Sequence, residues 1–160
     1  MSEALTQRNG QQESRGDSNY TQFVTMTIAG QLFGIPTEEI QDAHILESIT
    51  RIPLAPPEIE GALNIRGKIV TAVNLRKRLG LPPRETNGKN MSIVVEYKGE
   101  LYSLLIDTIG DVLSLSDRDF EKNPPTLDSC WRDISAGVYR LDDQLMIMTN
   151  VPRLMSFMRH

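Results

Sequence analysis

An internal repeat is the feature that most constrains the fold of this 160-residue chain. One block begins at Phe23 and recurs from Ser92, with a constant shift between the matched positions. A second block, 61–75, recurs at 137–151 with a slightly larger shift. Two hairpin patterns and a closing asparagine in the same order indicate the duplication of a small unit. The matched pairs are Gly30 and Gly99, Phe33 and Tyr102, Ile40 and Ile109, Asp42 and Asp111, Gly61 and Gly137, and Asn74 and Asn150.

Each copy is predicted to consist of short strands, because alternating and β-branched residues are separated by glycine turns. In the first copy, Asn74 is placed to cap a short helix over 75–79, which Gly80 ends. Three prolines within 52–57 exclude regular structure there, so this segment is predicted to be a surface loop. The second hairpin is expected to turn at 67–68. The predicted strands of the first copy are 22–28, 32–35, 40–45, 62–65 and 69–73.

Neither copy is large enough for a comfortable core, since each has roughly 60–70 residues. A short sheet hides its edges best by closing on itself, which predicts two packed barrels with an apolar contact. The predicted fold class is mainly all-β, with two five-stranded β-barrels from an internal duplication and short helices. We place the first barrel at about 21–88 and the second at about 89–158, and the duplication allows strands to be exchanged between them. The polar segment 1–20 is predicted to be a disordered leader.

The composition disfavours several kinds of site. Cys130 is the only cysteine, and the histidines are His44 and the terminal His160, which leaves too few ligands for a structural zinc site. No local pattern supports a catalytic triad or a phosphate-binding glycine loop. We therefore expect no metal, no cofactor and no enzyme activity. No apolar run approaches the roughly 18 residues of a membrane span, and no signal peptide opens the chain, so a cytoplasmic location is predicted.

Three ordered motifs resemble those of a known family. The stretch GALNIRGKIVTAVNLRKRLGL at 61–81 resembles the pattern G-x-x-N-L-R-G-x-I-V-P-V-x-D-L-R. LLIDTIGDVLSL and DQLMIMTNVPRLM resemble the family's later blocks. Together they resemble the CheW family of chemotaxis coupling proteins over about 21–158. This chain departs from the pattern at Ile65, where Leu is usual, at Thr71 and Ala72, where Pro is common, and at Asn74, where Asp is common.

The resemblance implies two five-stranded SH3-like barrels and a noncatalytic adaptor without a cofactor. Its expected partners are the cytoplasmic tip of a chemoreceptor and the regulatory domain of the CheA histidine kinase. The protein would be cytoplasmic, monomeric when free, and recruited to receptor arrays at the inner membrane without inserting into it.

The resemblance also suggests a kinase-binding surface formed by Ile40, Asp42 and Arg66. Arg66 lies in the turn of the second hairpin, and its planar guanidinium suits a carboxylate partner. We predict a contact between Asp42 and Arg66. Strand alternation would place Ile40 on the same face as Asp42. The alternatives are a barrel-core position for Ile40 and a solvated turn position for Arg66.

A second group of residues corresponds to the family's receptor-binding groove, in which a helical hairpin tip would lie. For two of them, Met91 and Val112, the alternative is an ordinary place in the barrel core. The predicted groove residues are Thr37, Gly61, Met91, Ser103 and Val112.

Two other functions remain open at the level of sequence. One is a coupling protein of a different, non-flagellar chemosensory pathway. The other, from a different class, is a small β-barrel that binds nucleic acid through Lys68, Arg76, Lys77 and Arg78. The net charge of −4 argues against the second, because nucleic-acid modules are typically basic. We expect no nucleic-acid partner, and we expect 76–78 to form a solvated helix face.

Overall fold

The computed structural model describes residues 19–46, 49–83 and 90–158, and within them it has eleven strands and three short α-helices. None of these helices is long and apolar enough to cross a bilayer. The strands are β1 Tyr20–Ile28, β2 Gln31–Pro36, β3 Ile40–Leu46, β4 Ile59–Ile65, β5 Lys68–Asn74, β6 Asn90–Tyr97, β7 Glu100–Ile106, β8 Thr108–Ser116, β9 Phe120–Glu121, β10 Gly137–Arg140 and β11 Leu145–Met148. The helices are α1 Leu75–Leu79, α2 Ser129–Arg132 and α3 Val151–Leu154, with 3-10 turns at Thr37–Glu39 and Asp117–Asp119.

The predicted leader, 1–20, falls almost entirely outside the described residues, which begin at Asn19. Its predicted end is one residue too late. Tyr20 already belongs to β1, because it is paired with Ser116 of β8.

Three hairpins have the same type of tight two-residue turn, in which a residue in the left-handed conformation is followed by glycine. The first residue has a φ of +53° at Ala29, +53° at Arg66 and +52° at Lys98, and each following glycine has a φ between +81° and +85°. Two successive positive φ angles define the type I′ turn, which matches the twist of the flanking strands. The second hairpin therefore turns at Arg66 and the glycine after it, one residue earlier than predicted.

The strands form two sheets, which confirms the predicted, mainly β fold. The first sheet has six strands in the order β8-β1-β2-β11-β10-β9, and the second has five in the order β3-β6-β7-β5-β4. The sixth strand of the first sheet, β9, has only two residues.

The two sheets do not follow the predicted division of the chain at 88 and 89. Strands β3 to β7, which span 40–106, form the five-stranded sheet, and the six-stranded sheet combines β1 and β2 with β8 to β11. The hairpins β1–β2 and β6–β7 are thus exchanged between the copies. Duplicated copies offer equivalent edges, so each hairpin finds the same pairing geometry on the other copy.

The register of the sheets confirms the duplication. Strand β2 runs parallel to β11, with Phe33 opposite Ile147. Strand β7 runs parallel to β5, with Tyr102 opposite Thr71. Phe33 and Tyr102 are matched positions of the repeat, so the two exchanged hairpins dock in the same register.

Both sheets are rolled up, as their edges show. Strands β8 and β9 form opposite edges of the six-stranded sheet, yet only Asp117–Asp119 separates them along the chain. Strands β3 and β4 are the edges of the five-stranded sheet, and four strand spacings would separate them by about 19 Å if it were flat. Asp42 on β3 and Arg66, directly after β4, are nevertheless joined at 3.2 Å.

One apolar cluster spans both sheets, as expected for two small packed units. It contains fully buried side chains from the six-stranded sheet and from the five-stranded sheet. Burial of this shared surface stabilises both sheets at once, at about 25 cal/mol for each Å² of apolar area. Its members include Met26, Ile28, Phe33 and Ile35 of the first sheet, and Val73, Ile93, Val95 and Leu104 of the second.

Two asparagines cap matching helices, α1 and α3. The Oδ1 atom of Asn74 accepts a hydrogen bond from the backbone nitrogen of Lys77 at 3.2 Å. The Oδ1 atom of Asn150 accepts a hydrogen bond from the backbone nitrogen of Arg153 at 2.9 Å. Gly80 ends α1 in the left-handed conformation, with a φ of +76°. The predicted cap, the bounds of α1 and its glycine end are all confirmed.

We expect Asn150→Ala to lower the free energy of unfolding by about 1 kcal/mol, because a helix N–H loses its acceptor. Asn150→Asp keeps an acceptor oxygen and should stay close to the parent protein. Urea unfolding followed by circular dichroism measures both. An equal loss in the two variants would show that the cap bond is not the cause.

Candidate functional site

The predicted contact between Asp42 and Arg66 is present. The Nη1 atom of Arg66 lies 3.2 Å from Oδ2 of Asp42, and the two side chains are 81% and 31% exposed. An ion pair this exposed contributes only about 0–1 kcal/mol to stability. The ion pair therefore adds little to the stability of the fold and matters as part of the surface that a partner could contact. Its role in kinase binding stays a prediction.

The backbone of the turn holds Arg66 in a defined place. Its φ of +53° belongs to the type I′ turn, and Oδ1 of Asn64 accepts a hydrogen bond from the nitrogen of Gly67 at 2.9 Å. On the opposite edge, Oδ1 of Asp42 accepts a hydrogen bond from the nitrogen of Ala43 at 2.8 Å. Both partners of the ion pair thus project from constrained backbone.

Apolar side chains are also exposed on the sheet that carries this ion pair, with Ile45, opposite Met91, on the other face of β3 from Asp42. Ile45 on β3 is 44% exposed, and Ile69 on β5 is 71% exposed. A surface depression runs between β3 and β4, lined by 44–46, Thr50 and 62–65. We call Asp42, Arg66, Ile45, Ile69 and this depression the seam surface.

The sequence prediction missed Ile45 and Ile69. The sequence did contain a signal for Ile69, because strand alternation places Ile69 and Val70 on opposite faces. Val70 is buried, so Ile69 points outward. An apolar residue at an outward strand position is a candidate for a protein contact.

The expectation that Ile40 and Asp42 share a face is wrong. A β-bulge lies between them, so that Ile40 is opposite Val95 and Asp42 is opposite Val94. Neighbouring residues of β6 point to opposite faces, and so do their partners. Ile40 is half-buried and packs against the shared core, as the core alternative supposed.

The predicted groove residues lie on four different strands and one 3-10 turn. Among them, Val112 on β8 is the most open at 39% exposed. Thr37 is half-buried and lines a depression with 20–22. Met91 on β6 is half-buried and packs against the core, which favours the core alternative for it.

Ser103 lies inside the five-stranded sheet, so its side chain is not available at a surface. It is fully buried, and its Oγ donates a hydrogen bond to Oγ of Ser92 at 2.8 Å. Ser92 lies in turn 3.2 Å from Nε2 of His44. A serine beside a histidine resembles part of a nucleophilic site, but Ser92 is fully buried too. This chain of polar groups is structural.

Gly61 is buried in β4, where another part of the chain approaches closely. It has a φ of +155°, and an added Cβ would meet the carbonyl oxygen of Thr50. Thr50 and Ala62 exchange two backbone hydrogen bonds, of 2.8 and 2.7 Å, which close the edge of β4. The matched glycine, Gly137, has a φ of +152°. Gly61 therefore shapes the barrel edge, and no side chain of its own offers a contact.

Arg76, predicted to lie on a solvated helix face, is instead bound internally. Its Nε and Nη2 atoms donate to the two oxygens of Asp107 at 3.2 and 2.7 Å. This hydrogen bonding raises the pKa of Arg76, against the opposing effect of burial. The guanidinium is not available to a phosphate.

Arg78 is also bound internally. It donates to the carbonyl oxygens of Leu154 and Arg153 at 2.9 and 3.2 Å, and to Oγ of Ser156 at 2.9 Å. Burial lowers its pKa. Arg78 thus caps the end of α3 from α1. With Arg76 and Arg78 engaged, the nucleic-acid alternative loses two of the four residues of its proposed patch.

Few groups suited to chemistry come together. Burial raises the pKa of the half-buried Cys130 thiol, which makes the reactive thiolate scarce at neutral pH. Across the described ranges, no group of three or more His, Cys, Asp or Glu side chains could hold a metal ion. The five-stranded sheet carries both parts of the seam surface, the ion pair and the exposed apolar side chains. Such a mixture is typical of a protein contact.

Two rolled β-sheets with exposed charged and apolar side chains are typical of a binding module. Residues 22–158 match the family model described as CheW-like domain. The chain therefore belongs to the CheW-like domain family.

Individual relatives agree with this assignment. The chemotaxis protein CheW of Rhizobium meliloti (strain 1021) is 24% identical over 130 residues, which cover 81% of this chain and 84% of the relative. The chemotaxis protein CheW of Klebsiella aerogenes is 23% identical, covering 88% and 85%. The crystal structure of the scaffolding protein TtCheW from Thermoanaerobacter tengcongensis has a TM-score of 0.74 at 29% identity, covering 86% of this chain and 93% of that one.

Proposed function

We propose that this protein is a noncatalytic adaptor that couples the cytoplasmic tips of chemoreceptors to the regulatory domain of the CheA histidine kinase. The observation that carries the proposal is the family match over 22–158, which spans nearly all of the described chain. A structural neighbour named as a scaffolding protein, with a TM-score of 0.74, supports it. The adaptor works in the cytoplasm, is monomeric when free, and joins receptor arrays at the inner membrane.

The seam surface is the proposed kinase contact. Arg66 and Asp42 provide charge and orientation at its polar part, while Ile45 and Ile69 provide apolar area that a partner can cover. Ile40 supports this surface from the core side of β3. An apolar centre beside a polar rim is the usual anatomy of a specific protein interface.

The receptor contact is proposed to lie around Val112, with Thr37 and Met91 as further contributors. Val112 is exposed on β8 of the six-stranded sheet, whereas the seam surface belongs to the five-stranded sheet. Gly61 and Ser103, both buried, influence this contact through the shape of the barrel. The centres of the two proposed contacts thus lie on different sheets, which would allow one adaptor to hold both partners at once. Met91, on β6, lies opposite Ile45 and would stand between the two contacts.

The mechanism is geometric and requires no cofactor. By holding receptor and kinase in one assembly, the adaptor makes a change in receptor conformation alter kinase autophosphorylation. Its contribution is a fixed relative position of the two partners.

A binding experiment tests the proposal. The full chain is titrated calorimetrically with the purified regulatory domain of the kinase and, separately, with a soluble receptor tip. We expect saturable binding to both. Failure to bind either would overturn the adaptor function, and RNA binding with a steep salt dependence would favour the nucleic-acid alternative instead.

A further inference from the structure

The chain passes from one sheet to the other at two places among the described strands. The first passage, from β2 to β3, uses the 3-10 turn Thr37–Glu39. The second passage, from β7 to β8, is a single residue, Asp107. Because so little chain connects the sheets here, the contacts of Asp107 strongly constrain how they are placed relative to each other.

Asp107 is bound to the six-stranded sheet in two ways. Its backbone nitrogen donates to the carbonyl oxygen of Thr27 on β1 at 3.0 Å. Its Oδ2 atom accepts a hydrogen bond from the nitrogen of Ala29, in the β1–β2 turn, at 2.8 Å. Both the main chain and the side chain of Asp107 are therefore attached to the β1–β2 hairpin.

The same carboxylate is bound to the five-stranded sheet through Arg76. Arg76 lies on α1, directly after β5, and donates to both oxygens of Asp107 at 3.2 and 2.7 Å. A third donor, Nη1, binds the carbonyl oxygen of Pro82 at 2.8 Å. A two-pronged arginine–carboxylate pair is more directional than a single contact.

Burial makes this pair stronger than the one on the seam surface. The side chains of Arg76 and Asp107 are 17% and 15% exposed, against 81% and 31% for Arg66 and Asp42. Less water between charges means less screening. The hydrogen bonds to Asp107 raise the pKa of Arg76 by favouring the charged guanidinium, and burial opposes this rise.

Three other kinds of contact join the two sheets. Arg78 on α1 donates three hydrogen bonds to residues at and just after the end of α3, away from both passages. The apolar core holds the sheets together, but apolar burial is non-directional. At the first passage, Glu39 Oε1 accepts one hydrogen bond, from the nitrogen of Val151 at 2.8 Å. The second passage combines a one-residue connection with a two-pronged ion pair.

We propose that the Asp107–Arg76 pair is a positioning device that sets the orientation of the two sheets, and through it the geometry between the kinase and receptor contacts. The functional half of this inference rests on the proposed adaptor function, whereas the structural half does not. Strand β8, which carries Val112, begins at the residue after Asp107. A rotation at Asp107 would move Val112 relative to the seam surface.

The structural half is tested by pulsed electron paramagnetic resonance on the full chain without partners. Cys130 is replaced by Ser. Spin labels are attached at Lys98→Cys, in the β6–β7 turn of the five-stranded sheet, and at Asp143→Cys, in the β10–β11 turn of the six-stranded sheet. We expect one narrow distance distribution in this parent. Arg76→Gln should broaden or shift it, because the pair is lost.

A matched control is Arg66→Gln, which removes an ion pair within one sheet and should leave the distribution unchanged. Arg76→Lys and Asp107→Asn are milder changes, which test the pair even if Arg76→Gln does not fold. Lysine keeps the charge without the fork, and asparagine keeps an acceptor for Ala29 without the charge. A parent-like distribution in every folded variant at 76 and 107 would overturn the proposal.

The functional half is tested by binding. Each single partner should bind Arg76→Lys within about twofold of the parent, because neither contact includes residue 76. The second partner should bind the preformed binary complex about tenfold more weakly, since its geometry relative to the first is no longer held. If the second partner bound the preformed binary complex of Arg76→Lys as tightly as that of the parent, the functional half would be overturned and the adaptor function would stay intact. Loss of all binding in the parent would instead count against the adaptor function alone.

Discussion

Replacing Gly61 with alanine should lower the free energy of unfolding by about 3 kcal/mol, the largest stability effect we predict. The added Cβ would meet the carbonyl oxygen of Thr50 and lie 2.5 Å from a methyl carbon of Ile49. The φ of +155° is one that residues with a Cβ rarely adopt. Relieving the clash would pull Thr50 away from Ala62 and break the two hydrogen bonds that close this edge.

The matched control lies in the same hairpin. Gly67 has a φ of +85°, and a Cβ built on it meets nothing within 4 Å. Gly67→Ala should therefore cost only the left-handed strain of about 1–2 kcal/mol. Urea unfolding of both variants, fitted with the same slope of free energy against urea concentration, compares the two losses of stability. Equal losses would mean that the approach of Thr50 does not matter, and a stable Gly61→Ala that fails to bind the receptor tip would make Gly61 a direct contact.

Reversing the charge of Arg66 should have the largest effect on binding. In Arg66→Glu a second carboxylate lies beside Asp42, and the seam surface changes its charge. Like-charge contacts cost several kcal/mol at an interface, so we expect affinity for the kinase regulatory domain to fall at least about 30-fold. The stability of the free protein should change by only about 1 kcal/mol, because the pair is exposed. Calorimetric titration and urea unfolding separate the two effects.

Arg140 provides the matched control for this reversal. It forms an ion pair with Glu121 at 3.0 Å in the six-stranded sheet, with the side chains 64% and 44% exposed. Arg140→Glu should leave kinase affinity within about twofold of the parent, since its charge lies outside the seam surface. Combining Asp42→Arg with Arg66→Asp restores an opposite-charge pair and should recover part of the affinity. If Arg66→Glu bound the kinase as well as Arg140→Glu does, the seam surface would not be the kinase contact.

Much of the local structure was predictable, because it depends on neighbours in the sequence. The glycine turns, the Asn74 cap and the end of α1 at Gly80 follow from steric and hydrogen-bonding rules that act over a few residues. The contact between Asp42 and Arg66 was also predictable, through the family resemblance. Asp42 and Arg66 lie 24 positions apart in the sequence, so no rule that acts over a few residues could have identified their contact.

Other features of the candidate site were not predictable in this way. The bulge between Ile40 and Asp42 adds one residue to β3, and simple alternation cannot anticipate it. Ser103 was placed at a surface, whereas the central position of β7 buries it between β6 and β5. Arg76 and Arg78 looked like a basic patch because their partners, Asp107 and the end of α3, lie far along the chain.

The sequence by itself determined that the chain is a duplicated β unit, which hairpins it forms and which family it resembles. Each of these properties depends on local sequence patterns and on their repetition along the chain. Only the tertiary structure decided that β1–β2 and β6–β7 are exchanged between the copies, and that Asp107 joins the two sheets. The duplicated copies present equivalent edges, so local rules favour neither partner. The choice depends on long-range packing and on directional contacts such as the Asp107–Arg76 pair.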